Sequence, residues 1–302
     1  MVEGLKHTRY VYHYTSIDTL FAILERCRKD KKAEELVFRA SNIYKLNDPK
    51  EMEFGYDIVK VFLRDYEKKI IPKEYWLYEI ASNKANEIKC KEDYLVGTKS
   101  YIIGTGIVPY TISFSARRDY IPMWALYGKT GKGVCLKFDA FKVIDENFKG
   151  QVGFVAYDMK SGMRTMKEVI PFMYEWYMNS YKNKLSELSI ENKISELATI
   201  CLAASPFVKY KDYQYEKEFR LTYYKHYGMI DKISASTMLD FLQPVSEISS
   251  YIEIPIPTTS LKEIILGPSL DSENLKDIIK REINACKIDV RVSRSKVPFK
   301  IL

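Results

Sequence analysis

Three short segments of the chain carry residue types and spacings suited to chemistry. The latest is Tyr215-Glu216-Lys217-Glu218-Phe219-Arg220-Leu221-Thr222-Tyr223. Period-two alternation predicts a strand with Glu216, Glu218 and Arg220 on one face and Phe219, Leu221 and Tyr223 on the other. Two carboxylates so spaced sit roughly 7 Å apart. A core-facing strand does not carry them unpaired. The pattern therefore fits a surface strand with a solvated ion pair, which accounts for Arg220 without chemistry. It equally fits a catalytic carboxylate whose companion and arginine set its orientation and charge.

The earliest segment, His13-Tyr14-Thr15-Ser16, ends a strand predicted over 11–14, immediately ahead of a helix. Such a turn exposes backbone N–H groups and a helix N-terminus, which favour phosphates or a dipolar ligand. His13 can donate to a ribose hydroxyl or a carboxamide, and Tyr14 offers an aromatic face. The plainer explanation is a histidine satisfied by its strand neighbours. The middle segment is Ser113-Phe114-Ser115, followed by Arg117-Arg118. Alternation puts both serines on one face, where paired hydroxyls can orient a polar ligand. The arginines could meet phosphates bidentately, although polar residues on an edge strand explain them better. Met123, Leu126 and Tyr127 read as packing, with Trp124 open to a stacking role.

These segments need elements to position them. Leu20, Ile23 and Leu24 recur at helical spacing behind Ser16, a suitable N-cap, and 36–40 reads as a strand. Residues 41–51 form a loop closing on a helix, with Asp48 at the N-cap and Pro49 at the first helical position. Amphipathic helices follow over about 50–69 and 73–91, then β structure over 94–115. A short helix at 123–127 stops at Gly128, and strands follow at 133–138 and 151–158. A Tyr- and Met-rich helical region runs from about 163 to 204 and breaks at Pro206. The last third returns to strands at 218–224, 250–256, 261–266 and 287–293, with a helix at 272–285. No repeat and no linker divides the chain, so residues 1–302 read as a single α+β domain with a helical insertion at about 160–206.

Composition limits the classes of function. The 302 residues are 46% hydrophobic and 14% aromatic, enough to build a core and too much for wholesale disorder. The net charge of +7 permits an anionic partner without demanding one. No apolar run approaches the roughly 18 residues of a membrane span, and the start shows no secretion signal. A cytoplasmic protein without a membrane partner is expected. The five cysteines, Cys27, Cys90, Cys135, Cys201 and Cys286, are scattered without a C-x-x-C pair, which suggests reduced thiols. With only His7, His13 and His226 as histidines, no zinc site has the right ligands, and no metal is expected.

The order of these segments resembles the ADP-ribosyltransferase fold: a His ending the first strand, a Ser-x-Ser middle strand and a late Glu-x-Glu strand. The opening from His13 to Leu24 is similar to the start of PARP-type and DarT-type transferases. Over essentially the full chain, the sequence resembles a widespread bacterial domain-of-unknown-function family. The marks are HYTS (13–16), LNDPKE (46–51), SFS (113–115), MWALYG (123–128), GVCLKF (133–138), EKEFR (216–220), ILGP (265–268) and SKVPFK (295–300). Phe299-Lys300 departs from the Tyr-Arg expected at that end.

The transferase resemblance implies a split mixed or antiparallel sheet with flanking helices and NAD as substrate. ADP-ribose would pass to a protein or nucleic-acid acceptor, in a bacterial stress or phage-defence setting. By that analogy Glu218 faces the developing positive charge near the ribose 2′-hydroxyl, and Glu216 positions the acceptor or acts as base. His13 holds the ribose or carboxamide, and Tyr14 or Tyr44 stacks on the nicotinamide. Thr15, Ser113, Ser115 and Arg220 complete the binding set, with the serines supporting Glu218 and Asn47 and Asp48 shaping the rim. Two other readings stay open. One is a nucleotide- or nucleic-acid-binding module of the same fold without chemistry. The other is a magnesium-dependent nuclease built on Glu216, Glu218 and Asp48.

Overall fold

The computed structural model describes residues 8–29, 34–48, 50–79, 81, 107–144, 148–226, 250–270 and 273–298. Most of the helix expected over 73–91, the β structure expected over 94–106, Pro49 and the terminal Phe299-Lys300 lie outside these residues. Nine strands form one mixed sheet among them: β1 (Tyr10–Thr15), β2 (Glu35–Asn42), β3 (Ile107–Ser115), β4 (Val134–Asp139), β5 (Gln151–Phe154), β6 (Glu218–His226), β7 (Tyr251–Pro257), β8 (Leu261–Leu266) and β9 (Arg291–Arg294). The order is β5-β6-β3-β1-β4-β8-β9, with β2 paired to β3 and β7 paired to β2. All pairs are antiparallel except β8 with β9. That parallel pair is bridged by a helix, as a parallel connection requires.

The helices are α1 (Ile17–Lys29), α2 (Glu51–Ile70), α3 (Ile121–Leu126), α4 (Ala140–Val143), α5 (Met159–Tyr181), α6 (Ile190–Ala204) and α7 (Glu273–Ala285). Ser16 caps α1 as its side-chain oxygen accepts from Thr19 N at 3.0 Å. Asp48 instead accepts from Lys50 N at 3.0 Å, and α2 starts at Glu51 with Lys50 in the cap position. The helical stretch expected over 163–204 is two helices. The first begins early because Asp158 and Ser161 form a reciprocal capping box, and the second is capped by Ser189, which accepts from Asn192 N. Strand β5 ends at Phe154 rather than 158, and only the Ala156–Val208 bridge continues it.

Two large apolar cores and two smaller clusters result among the described residues. One large core lies between the sheet and α1 and α7, around Leu20, Leu24, Phe38, Phe114, Phe138, Phe219 and Ile279. The other large core joins α2, α5 and α6 through Ile58, Leu63, Met166, Tyr174 and Ile200. Its polar centre is Glu67, which accepts from Leu77 N, Tyr78 N and the Tyr174 hydroxyl. The turn Ser205–Phe207 stands between this helical layer and the sheet. Gly153 of β5 leaves room for the Phe207 ring, and Gly55 of α2 lies directly against Ser205.

A Cβ at Gly55 would fall 2.4 Å from Ser205 Cβ and 2.5 Å from its Cα. Gly→Ala inside a helix normally stabilises by up to about 1 kcal/mol. Here the collision involves backbone, and overpacking costs about 1–3 kcal/mol. We expect Gly55→Ala to lower unfolding stability, read as a reduced urea midpoint. An unchanged or raised midpoint would show that α2 and the 205–207 turn can separate freely.

Candidate functional site

Strands β1 and β3 meet at one pair, Tyr12 opposite Ser115. Beyond it β1 continues alongside β4 for its whole length, while β3 passes to β2 at Thr111 and Tyr110. The two strands thus part after a single pair. His13 spans the gap: its Nδ1 lies 2.9 Å from Ser113 O. Because a carbonyl only accepts, Nδ1 carries the proton, and Nε2 of the neutral ring is an acceptor. Desolvation lowers the His13 pKa against the smaller opposing effect of that bond, so the ring is neutral at pH 7. His13 therefore offers a ligand an acceptor, not the donor expected from sequence.

A cavity of about 140 Å³ opens at this parting of strands. His13, Tyr14, Ser113, Ser115, Glu216, Glu218 and Arg220 all line it, so the three segments singled out in the sequence converge on one place. Leu46 and the exposed Asn47 complete one side. Thr15 pairs with Val134 at the end of β1 and does not belong to the lining. Tyr44 packs with Ile43, Met52 and Leu202 away from the cavity, and Asp48 also lies outside its lining. Trp124 is fully buried, with its ring edge-on to Tyr14 and its N–H donated to Asp119. Arg118 pairs with Glu263 instead of facing a ligand.

Glu216 does not lie on the strand. It ends a 3₁₀ turn over Lys211–Glu216, and Lys217 adopts a left-handed conformation (φ 42°, ψ 54°) before β6 begins at Glu218. That conformation costs a non-glycine residue roughly 1–2 kcal/mol, and the neighbours hold it. Ala116 N donates to Lys217 O at 2.8 Å, and Ser115 donates to Glu216 O while accepting from Arg117 N at 2.9 Å. Ser115 thus supports the backbone of Glu216. Ser113 lines the cavity beside Glu218 and adds to the influences that lower the Glu218 pKa.

Both carboxylates are buried and matched by cations. Arg220 clamps Glu218 through Nε at 2.6 Å and Nη2 at 2.9 Å, and its Nη1 donates to Pro206 O. Lys209 Nζ reaches Glu216 at 2.8 Å and Glu218 at 2.9 Å. The second oxygen of Glu216 accepts from the Tyr127 hydroxyl. Sequence reasoning missed Lys209 and Tyr127. Lys209 follows the apolar run Pro206-Phe207-Val208, and a lysine joined to a buried segment was the available signal.

The surroundings drive the two carboxyl groups apart. Desolvation raises both; at Glu218 the charges of Arg220 and Lys209 outweigh it and bring the pKa to about 2. At Glu216 desolvation, aided by the Glu218 charge, exceeds the opposing pull of Lys209, and its pKa stays above the ordinary carboxylate range. The two carboxyl groups are thus pulled in opposite directions, Glu218 down and Glu216 up. A magnesium site is disfavoured because both carboxylates already carry cations. Among the described residues no group of three or more His, Cys, Asp or Glu is placed to hold a metal ion.

Residues 123–221 match the family model described as Protein of unknown function (DUF2971). The DUF2971 segment contributes Met123, Tyr127, Lys209, Glu216, Glu218 and Arg220 to the cavity, while His13 and the two serines come from strands outside it. No curated protein and no solved structure is significantly similar to the chain. Among the described residues, no helix is long and apolar enough to cross a membrane.

Removing Arg220 leaves the buried Glu218 only the Lys209 ammonium that it shares with Glu216, so Arg220→Met should cost about 3–5 kcal/mol of stability in chemical denaturation. The folded pKa of Glu218 lies below its unfolded value, so its contribution is complete above the unfolded pKa and declines as pH falls towards about 2. The wild type should lose stability across that window, and the variant should lose less. Equal acid sensitivity would mean that Glu218 is not held by Arg220.

Proposed function

We propose that the cavity receives the nicotinamide ring of NAD and that the protein is an ADP-ribosyltransferase-like enzyme passing ADP-ribose to a macromolecular acceptor. The observation that carries this reading is the meeting of His13, Ser113, Ser115, Glu216 and Glu218 around one small cavity where β1 parts from β3. The parting of the two strands gives a ligand a way in between them. The size of the cavity fits: about 140 Å³ is close to the ~150 Å³ that accommodates a benzene ring. It falls below the ~300–1,000 Å³ of sites that enclose larger ligands, so one ring enters and the rest of a dinucleotide stays outside.

The chemistry follows from the charge states. The bond between C1′ of the ribose and the nicotinamide nitrogen breaks, its electron pair leaves with the ring, and positive charge develops at C1′. An acceptor hydroxyl or amine then bonds to C1′ and gives up its proton. Glu216, raised in pKa and adjacent to the Tyr127 hydroxyl, is the group suited to receive it. Glu218 has its charge spent on Arg220 and Lys209, so its part is to fix the site and not to face the cation alone. The neutral His13 accepts a hydrogen bond from a ribose hydroxyl or the carboxamide NH₂. This exchanges the emphasis that sequence placed on Glu218 for one on Glu216.

The same Arg220–Glu218–Lys209 pairing favours a second reading, a nucleotide-binding module of this fold without chemistry. Nicotinamide release separates the two. The wild type should release nicotinamide from NAD, Glu216→Gln should slow release about 10²–10⁴-fold while NAD still binds in calorimetry, and His13→Ala should weaken binding. Binding without release would establish the module. Neither binding nor release would remove NAD altogether.

A further inference from the structure

Glu216, the base of the transfer, lies below the surface. It is only 3% exposed, and the cavity it lines has room for a single ring. A macromolecular acceptor therefore meets a group nearer the rim before it meets this carboxylate. Tyr127 occupies that place: it is partly exposed, it lines the same cavity, and its hydroxyl donates to Glu216 Oε1.

Two other hydroxyls of the lining are committed to the backbone. Tyr14 donates to Arg117 O at 2.7 Å and accepts from Tyr120 N at 3.1 Å, and Ser115 donates to Glu216 O while accepting from Arg117 N. Lys209, on the second oxygen of Glu216 at 2.8 Å, is an ammonium with no lone pair to take up a proton. The Tyr127 oxygen keeps acceptor capacity while its own proton points at Glu216. Burial above all, and then the Glu216 charge, raises the Tyr127 pKa. The phenol thus rests protonated and takes up a proton only as it releases its own.

The ring is held from behind. Tyr127 caps the C-terminus of α3, with its N donating to Met123 O at 3.0 Å. Trp124 pins that helix: it is fully buried and donates its N–H to Asp119 at 2.8 Å, and Asp119 in turn accepts from Lys296 N at 2.8 Å. A hydroxyl placed this firmly is suited to a proton transfer that depends on alignment.

We propose that, in the ADP-ribosyl transfer on which this inference rests, Tyr127 is a catalytic residue that relays the acceptor's proton to Glu216. As the acceptor oxygen or nitrogen bonds to C1′, its proton passes to the Tyr127 oxygen, and the phenol's own proton passes to Glu216 Oε1. The phenol is restored, Glu216 becomes a carboxylic acid, and nicotinamide leaves with the electron pair of the broken C1′–N bond.

Methanol, a small neutral acceptor, tests the relay on the full chain, with nicotinamide and O-methyl ADP-ribose quantified by chromatography across pH. Tyr127→Phe keeps the ring and removes the hydroxyl. It should bind NAD as the wild type does in calorimetry, yet transfer to methanol about 10²-fold or more slowly. Loss of a donor also raises the Glu216 pKa, so the variant's rate should begin to fall at a higher pH on acidification. The deficit should persist above that limb, where Glu216 is ionised in both proteins. It should shrink with trifluoroethanol, a more acidic alcohol that needs less help from a base. Added to Glu216→Gln, Tyr127→Phe should slow transfer no further, because both residues serve one proton. Full recovery at high pH would make Tyr127 a group that merely tunes Glu216 and would overturn the relay. An unchanged rate in a variant whose thermal melt matches the wild type would do the same, as would additive losses in the double variant. No nicotinamide release by the wild type would instead fail the transferase reading and remove the relay with it.

Discussion

The structure turns on four buried charges, Lys209, Glu216, Glu218 and Arg220, which come from one short stretch of chain and sum to zero. Each ion loses several kcal/mol of hydration on burial, so the group is tolerable only as a complete set with its remaining donors and acceptors satisfied. Pro206 O and the Tyr127 hydroxyl supply further partners. The same contacts join two layers. Lys209 N donates to Ala156 O at 2.8 Å, and Arg220 reaches over to the turn that follows α6. The site's electrostatics and the seating of the helical layer against the sheet are thus one constraint.

Within that constraint the two carboxylates cannot be alike. Arg220 approaches Glu218 with the planar fork that fits a carboxylate bidentately, whereas Glu216 shares a single ammonium and a phenol. The better-solvated anion of the pair is the one with more donors, and the other keeps a raised affinity for protons. The difference arises from backbone as much as from side chains: the left-handed turn at Lys217 takes Glu216 out of the strand's alternation. Had the strand run straight through 216, both carboxylates would face the same donors.

Much of this arrangement was legible in the sequence, and what was not has specific causes. Alternation in 218–223 located β6, where Phe219 and Leu221 join the core on one face. The Ser16 cap was visible because capping is local chemistry. Asp48 misled because an Asp-Pro pair satisfies the same local rule whether it caps a helix or, as here, a turn two residues ahead of one. The extra residue at 217 escaped because a lysine in a left-handed conformation leaves no sequence mark. His13, Ser113 and Glu218 were found by type, but the tautomer that makes His13 an acceptor depends on a carbonyl a hundred residues away. Lys209 and Tyr127 reach the site only through tertiary packing.

The parting of β1 from β3 makes the cavity possible at all. Had pairing continued past Tyr12 and Ser115, His13 would stand opposite Phe114 and backbone hydrogen bonds would fill the space between the strands. Instead Ser113 O takes its bond from the His13 ring, so the carbonyl is satisfied while the strands stay apart. Phe38 and Phe114 pack edge-on against that ring and keep water from competing for the bond. Because the imidazole stands in for a rung of the ladder, the ring's orientation and the gap width are fixed together. A side chain that both opens the sheet and presents an acceptor to the opening is a better guide to a site than the carboxylates alone, which a buried ion cluster could justify on structural grounds.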